Sequence, residues 1–206
     1  MVLITLEGID GSGKSTLIAR LREGLADLKP VFTREPGATW VGEQVRRAVS
    51  EGIDPITEAL LFTADHAAHL AKVVKPSLQS GLIVISDRYI DSRFAYQSVT
   101  LEGVIEDPWG WLRRLHDGWT IYPDLTFLLL LPVKTAMERL RTHPEREHFE
   151  DERVLESVQQ NYLRLVRENP SRFILIDALM DQVELAAFVE GEIREFAGSS
   201  RSRHRS

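Results

Sequence analysis

Gly8-Ile9-Asp10-Gly11-Ser12-Gly13-Lys14-Ser15 has the spacing G-x-x-x-x-G-K-[ST], and Thr16 follows it. These residue types at this spacing bind polyphosphate. Without a Cβ, glycine lets the backbone take positive φ and approach an anion closely. Successive N–H groups then form an anion nest, completed by the positive end of the helix that begins near Lys14. Lys14 offers a compact cation to the β- and γ-phosphates, and the Ser15 hydroxyl is placed to ligate Mg²⁺. Gly8 through Thr16 are therefore the candidate ATP site, with Lys14 its catalytic cation.

More charge stands where strands should end. Asp10 lies within the loop itself, Arg34-Glu35 follows a second apolar run and Asp87-Arg88 a third. An acid in the place of Asp87 helps to hold Mg²⁺. Arg34 and Arg88 offer planar donor forks that suit a phosphate. Two such forks beside a phosphate loop point to a second phosphate facing the nucleotide. On one helix, Phe62, His66 and His69 share a face by i, i+4 and i+7 spacing. Phe62 there can stack on a planar ligand, and two histidines alone are too few for a zinc site. Arg139, Arg141, Arg146 and Arg153 crowd a polar stretch broken by Pro144. In phosphoryl transfer such a segment works as a lid that delivers an arginine and excludes water.

The elements that must position these groups follow from periodicity. Val2–Leu6 reads as a buried strand, and Leu17, Ile18, Leu21, Leu25 and Leu28 as one face of a helix. Further strands are expected near Pro30–Thr33, Leu82–Ile85, Leu125–Leu131 and Phe173–Ile176. Thr39 caps a helix through Val41, Val45 and Val49. Asp54-Pro55 starts another, which should stop near Pro76. Helices are also expected around 92–98, 107–117, 133–141, 152–168 and 181–197. Five apolar strands joined by helical crossovers predict a three-layer α/β/α domain with a parallel sheet. The expected organisation is a single domain over 1–197, a short mobile lid at about 141–152, and a disordered basic tail over 198–206.

Composition narrows the function classes. The chain has 206 residues, a formal net charge of −6 and no cysteine. That excludes a disulfide framework and thiolate chemistry, and it argues against a broad nucleic-acid surface. No signal peptide or membrane-length apolar run is visible, which points to a cytoplasmic protein with no membrane partner.

The blocks Gly8–Thr16, Thr33-Arg34-Glu35-Pro36-Gly37, Leu60–Asp65 and Asp87–Gln97, with Pro123-Asp124-Leu125-Thr126, come in an order that resembles the thymidylate kinases over roughly residues 1 to 195. The resemblance implies transfer of the ATP γ-phosphoryl group to dTMP, with Mg²⁺, by a homodimer. It implies that Arg34 and Arg88 grip the dTMP phosphate and that Phe62 stacks on thymine. Ser92, Tyr96 and Gln97 would line the base and sugar pocket, Asp10 would act on the sugar or metal side, and Tyr162 would lie near the deoxyribose. Three departures stand out. Gly11 replaces an arginine that often follows the loop acid; members of this kind place catalytic arginines in the lid, here Arg141 and Arg146. Ala38 replaces the second glycine of Arg-Glu-Pro-Gly-Gly. His66 stands where an arginine usually contacts the substrate nucleotide.

The leading reading is a dTMP kinase. One rival is a kinase for another nucleotide or nucleoside, and a second is a phosphate-loop NTPase switch.

Overall fold

The computed structural model describes residues 2–37, 39–141 and 151–203, with side chains through Ser199. Five strands form one parallel sheet: β1 (Val2–Glu7), β2 (Val31–Arg34), β3 (Ile83–Asp87), β4 (Leu125–Leu130) and β5 (Phe173–Asp177). Their order across the sheet is β2-β3-β1-β4-β5, with helices in the connections. The parallel α/β sheet expected from the sequence is therefore present. Central β1 is buried at every residue, because helices cover both faces of such a sheet.

Register brings the charged strand ends to one edge. Leu6 pairs with Asp87, Arg34 with Asp87 and Glu7 with Leu128. Neighbours β1 and β3 are far apart in the chain, so the loops leaving their carboxyl ends face one another. That crevice is where ligands bind in open parallel sheets. Asp124 secures the opposite end: its carboxylate accepts from Leu3 N–H at 2.8 Å, and its own N–H donates to the Leu3 carbonyl at 2.8 Å.

Local signals place the helices. In α1 (Lys14–Gly24) the N-cap is Gly13, at φ 94°. In α2 (Trp40–Glu51) the Thr39 hydroxyl accepts from Gly42 N–H, as the sequence indicates. Asp54 accepts from Ile56 and Thr57 N–H at the start of α3 (Pro55–His69). The stop expected near Pro76 does not occur. A π-helical turn, Leu70–Val74, follows α3 directly and leads into a short helix, Lys75–Gln79, in which Pro76 occupies the first turn. The last helix, Gln182–Arg203, runs past the boundary at 197 read from the sequence. Trp109 is buried, and Trp111 and Trp119 pack against the core.

Beneath the sheet's edge sits a buried ion pair that the sequence does not announce. Asp91 is fully buried and accepts from Arg172 Nη1 and Nη2 at 2.7 and 2.8 Å. Arg172 also donates to the Thr126 hydroxyl at 2.8 Å, joining β4 to the segment after β3. Removing one partner strands the other charge away from water. Asp91→Ala should destabilise the fold by about 3 kcal/mol, read as a lower urea midpoint with an unchanged m-value.

Candidate active site

The phosphate loop wraps its own lysine. Lys14 Nζ donates to the carbonyls of Gly8 and Ile9 at 2.9 and 3.0 Å and to the Ser12 hydroxyl at 3.3 Å. Burial, with Arg88 close by, lowers its pKa to about 8 against the opposing pull of Asp10 and Asp87. Gly8 has φ 142°, and a Cβ there would lie 2.6 Å from the Leu129 carbonyl oxygen. The loop is therefore pressed against β4 and leaves no room for a side chain at Gly8. Ser15 and Thr16 are exposed on the first turn of α1.

Arg88 is the hub of the facing wall. It has φ 60°, which costs a residue with a Cβ on the order of 1 kcal/mol. Its N–H donates to the Leu6 carbonyl at 3.0 Å, and its carbonyl accepts from the Ser86 hydroxyl at 2.7 Å. The guanidinium pairs with Asp10 and donates to the Gly8 carbonyl and Ser92 Oγ at 3.2 Å, Tyr96 Oη at 3.0 Å and Tyr162 Oη at 3.4 Å. Burial opposes the charges on both partners. Even so, Arg88 and Lys14 hold the Asp10 carboxyl below its usual range, and Asp10 holds Arg88 charged.

Next to this wall is a cavity of about 240 Å³. Four arginines line it: Arg34, Arg46, Arg88 and Arg93. Asp10, Glu35 and Asp87 supply carboxylates, and Phe62, Ser92, Tyr96 and Gln97 the rest of the polar and aromatic lining. So Asp10, Arg34, Phe62, Arg88, Ser92, Tyr96 and Gln97, all singled out from sequence, meet around one space.

Two expected contacts lie elsewhere. His66 is fully buried and is not part of this lining. Its Nδ1 pairs with Glu35 Oε1 at 2.9 Å, and its ring packs against Tyr89, His116 and Trp119. His69 Nδ1 reaches the same oxygen at 2.6 Å. Burial would raise the Glu35 carboxyl, but the two histidines more than offset this and hold it well below the carboxylate range. The imidazole at 66 is thus held by an acid that periodicity alone could not place beside it. Tyr162, also fully buried, stands behind the lining and braces Ser92, Arg88 and Glu7.

At the lid, Arg141 is exposed and its N–H closes the helix Val133–Leu140 through the Met137 carbonyl. Arg146, Ala38 and most of the expected lid lie outside the described residues. A different arginine meets the phosphate loop: Arg139 Nη1 donates to the Gly11 carbonyl at 3.1 Å.

Sequence reasoning also missed Glu7, Arg46 and Arg93 as members or supports of the site, and gave Glu35 no part in holding His66 and His69. For Glu7 a signal existed: it is an acid at the end of an otherwise apolar strand. It accepts from Tyr89 N–H at 2.8 Å, Ser92 Oγ at 2.6 Å and Tyr162 Oη at 2.8 Å.

An ATP-type phosphate loop facing an arginine-lined cavity defines a phosphate-loop kinase. The family profile described as thymidylate kinase matches residues 6–187. A probable thymidylate kinase of Methanoculleus marisnigri is 64% identical over 204 residues, covering 99% of this chain and all of that protein. Those of Methanospirillum hungatei and Methanosarcina mazei are 59% and 49% identical, covering 87% and 94% of this chain and 87% and 96% of their own. The chain belongs to the thymidylate kinase family.

The Glu7 carboxyl titrates at about 7, raised by burial and then by Asp91, against the bonds from Ser92 and Tyr162 and the charge of Arg88. The folded state therefore holds a proton that the unfolded chain releases near its ordinary pKa of 4.5. This contribution to stability is present below pH 4.5 and lost as pH rises through 7. Wild type should lose stability across that window by on the order of 3 kcal/mol. Glu7→Gln should flatten that part of the profile, measured as unfolding free energy against pH.

Proposed function

We propose that this chain carries out the thymidylate kinase reaction, transferring the γ-phosphoryl group of ATP to dTMP, with its two anion sites holding the two nucleotides face to face. The observation that carries this reading is the cavity lined by Arg34, Arg46, Arg88 and Arg93 directly beside the Lys14 loop. An NTPase switch needs no such second phosphate site, and the acceptor is already an anionic nucleophile at neutral pH.

An oxygen of the dTMP phosphate attacks the γ-phosphorus of ATP. The bond from that phosphorus to its bridging oxygen breaks, leaving dTDP and ADP. No general base is required, and catalysis consists of positioning and charge stabilisation. Arg34 and Arg88 grip the acceptor phosphate. Asp10 and Tyr96 hold the Arg88 fork at the correct angle. On the donor side, Lys14 leaves its loop carbonyls for the incoming phosphates, and Gly8 through Thr16 cradle them. Phe62 stacks on the thymine ring, beside Ser92 and Gln97. Arg139, already bonded to the loop at Gly11, joins Arg141 and Arg146 as a lid-side cation.

The residues present also fit Mg²⁺. Asp87 Oδ1 is buried without a hydrogen-bond partner among the described residues, and the exposed Ser15 hydroxyl stands on the first turn of α1. When bound there, the ion neutralises charge on the transferring phosphates. We assign the enzyme to the cytoplasm, which the family resemblance supports. We further assign it to a homodimer, a reading that the exposed Trp40, Ile56 and Leu60 of α2 and α3 support.

Lys14→Ala should cut turnover by orders of magnitude while leaving the thermal unfolding curve nearly intact. An acceptor panel of dTMP, dUMP, CMP, AMP and thymidine, read as ADP formed, should favour dTMP. Hydrolysis of ATP independent of any acceptor would overturn the assignment.

A further inference from the structure

Glu7 ends β1, one residue before the phosphate loop, and is fully buried. Its two oxygens have separate tasks. Oε1 accepts from the Tyr89 N–H at 2.8 Å. Oε2 faces the hydroxyls of Ser92 at 2.6 Å and Tyr162 at 2.8 Å, and those two oxygens lie 2.9 Å from each other. Three oxygens thus form a closed triangle. Both hydroxyl oxygens also accept from Arg88 Nη1, at 3.2 and 3.4 Å. Glu7 and Tyr162 stand behind the cavity lining, so their influence on the reaction passes through Ser92 and Arg88.

Counting protons gives this triangle a direction. Each side holds one hydrogen, and each hydroxyl supplies one. The Glu7 carboxyl titrates at about 7, so both of its states occur near neutral pH. Ionised, it leaves two protons for three sides; protonated, it brings the third. In either state every proton has a place inside the triangle, and lone pairs of Ser92 and Tyr162 stay turned outward to Arg88. A donor in place of Oε2 changes the count. An amide at this position keeps its oxygen on the Tyr89 N–H, because a buried backbone donor must be paired. Its NH2 group then brings two protons, which makes four for three sides. The surplus proton leaves the triangle, and the group outside is the Arg88 guanidinium, itself a donor with no capacity to accept.

We propose that Glu7 is a positioning residue for phosphoryl transfer: it keeps lone pairs rather than protons of Ser92 and Tyr162 turned toward Arg88, and so holds the guanidinium aimed at the acceptor phosphate. This rests on the assignment of Arg88 to that phosphate. Loss of charge alone would act in the opposite sense, since removing a buried negative charge eases the approach of a dianion.

The test compares wild type with Glu7→Gln, the double variant Ser92→Ala with Tyr162→Phe, all three substitutions together, and Arg88→Gln. Calorimetry gives the dissociation constant for dTMP and steady-state kinetics the KM for ATP, with thermal unfolding measured alongside. Glu7→Gln should weaken dTMP binding about 10-fold, the lower end for a lost hydrogen bond to a charged group, and leave the KM for ATP unchanged. In the background lacking both hydroxyls, the same substitution should change dTMP affinity by no more than about twofold, because no hydroxyl proton is left to turn. Tighter or unchanged dTMP binding in Glu7→Gln, an equal loss for both nucleotides, or an undiminished loss in the double background would overturn the proposal. If Glu7→Gln does not fold, Tyr162→Phe decides. There dTMP affinity should fall severalfold with ATP unaffected, and an unchanged affinity overturns the proposal. Arg88→Gln separates the two readings. Unchanged dTMP affinity there removes Arg88 from the acceptor phosphate, and the role of Glu7 with it. Weakened dTMP affinity in Arg88→Gln beside unchanged affinity in Glu7→Gln removes only the role of Glu7.

Discussion

The structure depends on the ion pair between Arg88 and Asp10. It joins the loop after β1 to the turn after β3, across the crevice where both nucleotides must meet. Around it, the Gly8 carbonyl, Ser92, Tyr96 and Tyr162 accept or share the remaining donors of the guanidinium. Such a charge is tolerable away from bulk water only because its partners are numerous and well placed. The same arrangement prepares the site for phosphate. A rigid cation aimed in advance needs little reorganisation when charge arrives.

Behind that pair lie further layers of buried ionic and polar groups. Glu7 gathers Tyr89, Ser92 and Tyr162, so the end of β1 holds the segment after β3 in place. Asp91 and Arg172 tie that segment to β4. On the other side, Glu35 is held by His66 and His69 of α3, and Thr33 reaches His69 at 2.6 Å. The end of β2, which carries Arg34, is thereby fastened to the helix carrying Phe62. Each of these contacts spans a long sequence separation. Together they fix the distance between the grip on phosphate and the surface offered to the base, which in-line transfer requires.

Much of this was legible from residue types alone. The strand–loop–helix grammar around Gly8–Ser15 reports local chemistry, and local chemistry survives folding. Apolar runs identified all five strands; in β1, β3 and β4 the run reflects burial on both faces of a parallel sheet, while the edge strands β2 and β5 are only partly buried. Caps at Thr39 and Asp54 were readable because a capping bond spans only two or three residues. The π turn at Leu70–Val74, which carries the helical run past the stop expected near Pro76, was not read from the sequence.

The sequence by itself determined which groups bring charge to the carboxyl edge of the sheet: Asp10, Lys14, Arg34, Asp87 and Arg88. It determined this because the ends of the strands and the loops after them follow from periodicity and motif, whereas the order of the strands came from the fold. Only the tertiary structure decided which partners those groups would have. His66 stands where the family resemblance implied a contact to the substrate nucleotide, and is instead a partner of Glu35, thirty-one residues away. Arg93, which sequence reasoning did not single out, is a buried cation over Phe62. The reason is that burial and pairing depend on what arrives from distant segments, and no repeat within one element encodes that.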